Sequence, residues 1–206
     1  MEKILHSEVD IFHTTARILI AGFSGSGKSF FTSKLINLYK HKFSRIISIG
    51  SDLEQVDQVD IIRDDDFNPF LDHDGLLPIL LIYDDIIFDA AKMKIACEVF
   101  IRGRHKNISV ILISQNIFLQ SKEFRCISLN CTHIILLRMR DFRQISHFSS
   151  TFLTQEKKEA FLKLYKLIVL KDKYQYLLID FNKNFDSKLQ LRTNLFGEGP
   201  EKCIQI

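Results

Sequence analysis

Residues 22–29 have the types and the spacing of a phosphate-binding loop. They read Gly-Phe-Ser-Gly-Ser-Gly-Lys-Ser and fit the pattern G-x-x-x-x-G-K-[ST] at every position. Glycines let the backbone approach a phosphate closely, and successive N–H groups at a helix N-terminus form a nest for an anion. The pattern predicts that Lys28 reaches the β- and γ-phosphates of ATP and that the Ser29 hydroxyl is a ligand of Mg²⁺; the alternative is an ordinary glycine turn. The residues predicted to bind the nucleotide are Gly22, Ser24, Gly25, Ser26, Gly27, Lys28, Ser29 and Phe30.

An apolar run that ends in two acids supplies the second expected part of this site. Residues 79–83 are Ile-Leu-Leu-Ile-Tyr, and Asp84 and Asp85 follow directly. In P-loop ATPases a carboxylate at the end of a strand holds Mg²⁺, which is the role predicted for Asp84. Asp85 is predicted to act as a general base or to orient the attacking water. Because two adjacent aspartates are also typical of a helix N-cap, the prediction depends on their occurrence after the phosphate loop.

A third candidate, Gln115, lies at the polar end of a β-rich strand predicted over residues 109–116. Parallel sheets bind ligands at the carboxyl ends of their strands. We therefore predict that Gln115 lies beside the γ-phosphate, where its amide orients water and senses the phosphate. An amide that simply caps the strand exit is the alternative.

Short apolar segments and amphipathic helices alternate along the chain and must position these residues. Strands are predicted at residues 16–21, 43–50, 79–85, 109–116, 132–137 and 174–181, and helices at 30–39, 89–102 and 154–170. This alternation predicts a single α/β domain over residues 1–206, with a mainly parallel central sheet flanked by helices. The interval between the loop and the acid pair leaves room for the 45–49 strand to lie between their two strands, as in P-loop NTPases of the ASCE type, which have a RecA-like core. Residues 1–15 are predicted to be a lead-in segment and residues 182–206 a polar C-terminal tail.

The composition is that of a globular and mildly basic protein. Of 206 residues, 46% are hydrophobic and 26% are charged, and the formal net charge is +3. This charge permits contact with nucleic acid without requiring it. The longest apolar run is too short to span a bilayer, the first residues lack a signal-peptide pattern, and the cysteines lack the spacing of a zinc site or a disulfide framework. We therefore expect an intracellular protein with no membrane span.

The order of these motifs resembles that of the DNA-packaging ATPases of the FtsK–HerA superfamily. The likeness is strongest to the compact enzymes of poxvirus-like large DNA viruses, virophages and Maverick/Polinton elements, and it covers residues 15–196. It rests on the phosphate loop, the acid strand, Arg102-Gly103-Arg104-His105 before the strand that ends in Gln115, Asn130 before residues 134–137, and the segments 140–145 and 191–196.

The resemblance implies an ATP-hydrolysing motor that moves double-stranded DNA into a preformed viral capsid. Such enzymes form a homo-oligomeric ring, a pentamer or hexamer, that binds ATP and Mg²⁺ between neighbouring subunits and contacts a capsid vertex protein. An arginine of one subunit completes the site of the next, and Arg104 is the preferred match, with Arg102 beside it. Arg140 and Arg143 are second choices for a trans or sensor arginine. The resemblance also implies a location inside an infected cell, in the cytoplasm, a viral factory or the nucleus, and at the packaging vertex of the virion.

One residue departs from the family pattern, and two other functions stay open. The acid pair is Asp-Asp rather than the more common Asp-Glu, so Asp85 reaches one methylene less far into the site. A small phosphotransferase, such as a nucleotide kinase, would also use the phosphate loop, although no arginine-rich lid follows the acid strand. A nucleotide-dependent assembly factor that does not translocate DNA is the other alternative.

Overall fold

The computed structural model of the chain describes residues 4–5, 10–50, 61–171, 174–181, 190–196 and 202–205. The strands are β1 Ile4–Leu5, β2 Arg17–Ala21, β3 Arg45–Gly50, β4 Ile61–Arg63, β5 Ile79–Asp84, β6 Ile108–Ser114, β7 His133–Leu136, β8 Leu177–Asp180, β9 Gln190–Thr193 and β10 Lys202–Gln205. The helices are α1 Lys28–Tyr39, α2 Ala90–Arg102, α3 Lys122–Asn130, α4 Phe142–Phe152 and α5 Gln155–Val169, with 3₁₀ turns at Lys40–Lys42 and Gly103–Lys106. In these ranges, no helix has both the length and the apolar character needed to cross a membrane.

The ten strands in the described part of the chain form one sheet in the order β1-β10-β9-β8-β7-β2-β6-β5-β3-β4. The strands from β7 to β4 in this order are mutually parallel, whereas β8, β9, β10 and β1 extend the sheet by antiparallel pairing. Two clusters of buried apolar side chains lie on the two faces of the sheet, where the helices pack. The predicted α/β fold, with a mainly parallel central sheet flanked by helices, is therefore confirmed.

Three helices begin at residues whose side chains cap them. The Asp89 carboxylate accepts hydrogen bonds from the N–H groups of Ala91 and Lys92 at the start of α2. Ser121 caps α3 and Asp141 caps α4 in the same way. Such caps satisfy N–H donors that have no partner within a helix, so they fix where α2, α3 and α4 begin.

The strand that lies between β2 and β5 in the sheet differs from the prediction. The inserted strand is β6, which pairs with β2 on one side and β5 on the other, and β3 lies beyond β5. The prediction of residues 45–49 at this position was wrong. A central parallel strand is covered on both faces, and all seven residues of β6 are buried, whereas β3 begins with an exposed Arg45.

Strands are also present in the two segments predicted as lead-in and tail. Residues 4–5 pair with β10, and β9 joins β10 to β8. β9 has a largely polar sequence, so its burial is not evident from the sequence. In the structure Leu191 is fully buried and Arg192 is only 4% exposed. The Arg192 guanidinium lies 3.2 Å from Asp180 Oδ2, and this ion pair makes its burial tolerable.

His133 joins this ion pair in the interior of the protein. Its Nε2 lies 3.6 Å from Asp180 Oδ1, and the side chains of His133 and Asp180 are 1% and 5% exposed. Burial lowers the pKa of His133 to about 4; the Asp180 carboxylate opposes this shift and Arg192 adds to it. The folded protein therefore contains the neutral imidazole at neutral pH.

We expect His133 to make the fold sensitive to mild acid. The unfolded chain has the ordinary histidine pKa of about 6.5, so it takes up the proton first as the pH falls. The free energy of unfolding should therefore have its full value above about pH 6.5 and should fall by about 3 kcal/mol as the pH approaches 4. Urea unfolding between about pH 7.5 and 4.5 measures this loss.

His133→Gln should lower stability at neutral pH but flatten its dependence on pH over this interval. The control is His105→Gln, which changes an exposed ring and should retain the full dependence. An unchanged pH dependence in His133→Gln would refute the assignment to His133.

Candidate nucleotide-binding and hydrolysis site

The loop at residues 22–29 joins β2 to α1 and has a backbone that requires glycine at two positions. Gly25 and Gly27 have φ angles of 80° and 96°, in the region that residues with a Cβ rarely adopt. A Cβ on Gly27 would also lie 2.6 Å from Cδ1 of Tyr174. The carbonyl of Gly27 accepts the first bond of α1, from Phe31 N at 2.8 Å, so the loop leads directly into the helix.

Two backbone hydrogen bonds anchor this loop over the edge of the sheet. Gly22 N donates to the carbonyl of Ser114 at the end of β6, at 3.1 Å. Phe23 N donates to the carbonyl of Arg138, just after β7, at 3.0 Å. The loop is thus fixed against the carboxyl ends of the two strands that flank β2.

The Lys28 side chain folds back across the loop. Its Nζ donates to the carbonyls of Gly22 and Phe23 at 2.8 and 3.1 Å. Burial lowers the pKa of this ammonium, and the carboxylates of Asp84 and Asp85 oppose the shift. The ammonium is therefore held between the loop and the acid pair, where a phosphate can accept its hydrogen bonds in place of the two carbonyls.

The acid pair follows at the end of β5. Asp84 is half-buried and pairs in register with Gly50 of β3 and Ile113 of β6. A Cβ on Gly50, whose φ is 107°, would lie 1.9 Å from the Asp84 carbonyl oxygen, so only glycine fits beside it. Asp85 is exposed and has a φ of 55°, a left-handed conformation that is concentrated at functional sites when the residue is not glycine.

A cavity of about 620 Å³ brings the loop, the acid pair and Gln115 together. Its volume is in the range of small-molecule sites. The hydroxyl of Ser29 and the carboxylate of Asp84 are oxygen donors of the kind that Mg²⁺ takes alongside phosphate and water. The residues that line it are Ser24, Gly25, Gly27, Lys28, Ser29, Phe30, Asp84, Asp85, Ile113, Ser114, Gln115 and Tyr174.

Two residues predicted to bind the nucleotide do not line this cavity in the described structure. Ser26 is 3% exposed, and its Oγ lies 2.4 Å from the position that a Cβ on Gly22 would occupy. The Ser26 hydroxyl is therefore directed into the protein, and Gly22 supplies the space for it. Gly22 and Ser26 therefore pack together on the side of the loop that faces away from the cavity.

Sequence reasoning missed Tyr174, which lines the same cavity. Its ring lies against Gly27, and its centroid is 6.3 Å from that of Phe30. The φ of Tyr174 is 67°, and the residue is 50% exposed. Because Tyr174 is far from the phosphate loop in sequence and was predicted to begin a strand, no local pattern pointed to it.

Tyr174→Ala is expected to weaken ATP binding. Phe30 and Tyr174 both line the cavity beside the phosphate loop, so the base of a nucleotide has an aromatic ring within reach. Loss of about 1 kcal/mol of stacking would raise the dissociation constant for ATP roughly five-fold. Calorimetric titration with ATP measures this dissociation constant. Tyr174→Phe should bind as the unmodified protein does, and inorganic tripolyphosphate should bind all three proteins equally; a loss of tripolyphosphate affinity in Tyr174→Ala would contradict the role in base binding.

Arg102 and Arg104 lie at the other end of the strands, on the side where the parallel strands begin. They precede β6, whose seven residues separate them from Gln115 by about 20 Å. Arg102 pairs with Glu98 and lies 5.0 Å from the ring centroid of Phe70. Arg104 is exposed, and its Nε donates to His105 Nε2 at 3.5 Å. The structure therefore does not bring Arg104 to the cavity of its own chain.

Arg140 and Arg143 lie on the same edge as the phosphate loop, between β7 and the first turn of α4. The Arg143 guanidinium is 3.0 Å from Asp141 Oδ2. This carboxylate raises the pKa of Arg143, and the arginine lowers the pKa of Asp141. Among the described residues that line the cavity, there is no arginine.

Comparison with solved structures finds ATPases of the same fold. The genome packaging NTPase B204 from Sulfolobus turreted icosahedral virus 2, in complex with sulfate, has a TM-score of 0.61 at 20% identity, covering 87% of this chain and 96% of that chain. The same NTPase in complex with ATP-gammaS has a TM-score of 0.58 at 17% identity, over 87% and 98%. The cytoplasmic domain of the Thermomonospora curvata type VII secretion ATPase EccC has a TM-score of 0.51 at 14% identity, over 93% of this chain and 25% of that chain.

These likenesses confirm the predicted P-loop NTPase fold, and a viral genome-packaging NTPase is among the structural neighbours, as the resemblance in sequence predicted. No protein-family model matches the chain, and no curated protein matches its sequence. The roles of individual residues stay predictions.

Proposed function

We propose that the protein is an ATP-hydrolysing motor that moves double-stranded DNA into a viral capsid, and that it works as a ring of identical subunits. One observation carries the proposal. The phosphate loop, Asp84, Asp85 and Gln115 line one cavity at the carboxyl ends of the parallel strands. Arg104 is exposed at the amino end of β6, on the other side of the sheet from this cavity. A site divided in this way is complete only when a second copy presents its Arg104 to the cavity of the first.

The lining residues divide the chemistry of hydrolysis among them. The backbone of the loop and Lys28 hold the phosphates, and Ser29 with Asp84 would hold Mg²⁺, which neutralises phosphate charge when bound. Asp85 accepts a proton from the attacking water or orients it, and Gln115 orients the same water from the end of β6. Arg104 of the neighbouring subunit would stabilise the charge that develops on the γ-phosphoryl oxygens.

The comparisons support this proposal through the fold. Structural neighbours are described as a genome packaging NTPase and a secretion ATPase, and the former is seen with ATP-gammaS. Double-stranded DNA, a capsid vertex protein and a location inside an infected cell follow from the proposed function. The net charge of +3 is compatible with a DNA partner.

A DNA-stimulated ATPase assay, paired with a measurement of oligomer mass, tests the proposal. We expect phosphate release from ATP to rise when double-stranded DNA is added and a ring-sized species to form with nucleotide. Displacement of a third strand from a DNA triplex would report translocation. Transfer of phosphate to nucleosides or nucleotides, with no effect of DNA on the rate, would instead identify a nucleotide kinase. Hydrolysis that drives assembly but never displaces the third strand would identify an assembly factor.

A further inference from the structure

The Gln144 side chain joins the first turn of α4 to the segment that follows Gln115. Its Oε1 accepts a hydrogen bond from Ile117 N at 3.1 Å, and its Nε2 donates to Asn116 Oδ1 at 3.0 Å. Both amide side chains are half-buried, and Ile117 is 2% exposed. One side chain on α4 thus holds two consecutive residues of the segment that leaves β6.

The backbone donor fixes the orientation of both amides. Ile117 N can only donate, so Gln144 must direct its oxygen toward it and its NH₂ group toward Asn116. Asn116 must then present its own oxygen to that NH₂ group. Each bond of this pair therefore depends on the other.

A second pair of bonds holds the segment from the side of β6. Asn116 N donates to Ser114 Oγ at 3.0 Å, and Ser114 Oγ donates to the carbonyl of Asn116 at 2.6 Å. Gln115 lies between these anchors and lines the cavity. The backbone at Gln115 is consequently held by bonds of the residues on both sides of it.

We propose that Gln144 and Asn116 form a positioning clamp for Gln115 and that hydrolysis depends on it. The inference rests on the proposed function, because Gln115 acts there on the attacking water. Neither clamp residue lines the cavity among the described residues, so both act through Gln115 and not on the substrate. A water-positioning amide must be held closely in place, since small displacements of a catalytic group are costly.

Paired acid substitutions test the clamp. In Gln144→Glu, the carboxylate still accepts from Ile117 N, and Asn116 can rotate its amide to donate. In Asn116→Asp, the carboxylate still accepts from Gln144 Nε2. The double variant Gln144→Glu/Asn116→Asp contains two acceptors and no donor between them, so the clamp opens although each single change preserves it.

We expect the double variant and Gln144→Leu to lose at least about tenfold in kcat, equivalent to about 1.4 kcal/mol, with KM and nucleotide affinity retained. Each single acid variant should retain most of the activity. In a Gln115→Ala background, opening the clamp should have no further effect, because the residue it positions is gone. Gln155→Leu, at an exposed glutamine that begins α5, is the matched control.

Thermal unfolding of every variant identifies a change that merely disrupts the fold. If the double variant does not fold, Gln144→Leu and its combination with Gln115→Ala decide the question. Full kcat in a folded Gln144→Leu protein, or equal losses with and without Gln115, would overturn the clamp and leave the proposed function intact. No ATP hydrolysis by the unmodified protein would overturn both.

Discussion

Lys28→Ala is expected to abolish ATP hydrolysis, with a loss in kcat on the order of 10³-fold or more. Among the described residues that line the cavity, Lys28 is the one cation, and Asp84 and Asp85 line it as well. Without the ammonium, a triphosphate would meet two carboxylates and no cationic side chain among the described lining residues of this cavity. The alanine also removes the bonds from Nζ to two loop carbonyls, so the loop loses its internal brace.

Phosphate release at saturating ATP measures this loss, and a fluorescent nucleotide analogue measures binding separately. The matched control is Lys163→Ala, which removes an exposed lysine from α5 and should leave hydrolysis unchanged. Retention of more than a small part of the activity by Lys28→Ala would mean that hydrolysis occurs at another site.

Motifs that are contiguous in sequence predicted the centre of the site. The phosphate loop and the acid pair each depend on a local conformation, namely a glycine-rich turn into α1 and the end of a buried strand. Because parallel strands end at a common edge, their meeting with Gln115 followed from the fold class. This much of the fold and the site was predictable.

What the sequence did not predict depends on contacts between distant segments. The strand between β2 and β5 must be buried on both faces, as β6 is. The apolar pattern of residues 45–49 does not distinguish such a central strand from one nearer the outside of the sheet. Tyr174 lies against Gly27 although the two residues are far apart in the sequence. Gln144 contacts Asn116 and Ile117 after Gln115, and nothing in the local sequence of residues 140–145 indicates these contacts. Polar residues such as Arg192 also conceal a buried strand, since an ion pair replaces apolar character.

The distance between Arg104 and the cavity of its own chain separates two kinds of mechanism. An arginine that acts within its own subunit must lie within side-chain reach of the γ-phosphate, and the length of β6, about 20 Å, excludes this for Arg104. A neighbouring subunit in a head-to-tail ring can present the arginine instead. Arg102 is less suited, because Glu98 and the ring of Phe70 already hold its guanidinium.

Arg104→Ala is therefore expected to lower kcat by about 10³-fold while nucleotide binding is retained, and Arg102→Ala should cost far less. Arg125→Ala, at an exposed arginine of α3, is the neutral control. Asp85→Ala should bind ATP and fail to hydrolyse it, because the residue that activates water is missing.

Mixing the two inactive proteins decides whether Arg104 acts in trans. In a ring formed from equal amounts of Arg104→Ala and Asp85→Ala subunits, about one interface in four combines an intact Asp85 with an intact Arg104 from the neighbour. Hydrolysis should then recover to a level that neither protein reaches alone, and it should peak at intermediate ratios. If Arg104 acted within its own chain, every subunit in the mixture would lack one of the two groups. The absence of recovery at every ratio, in rings shown by mass to contain both proteins, would exclude a trans role for Arg104 and would direct attention to Arg140 and Arg143 on the edge that carries the phosphate loop.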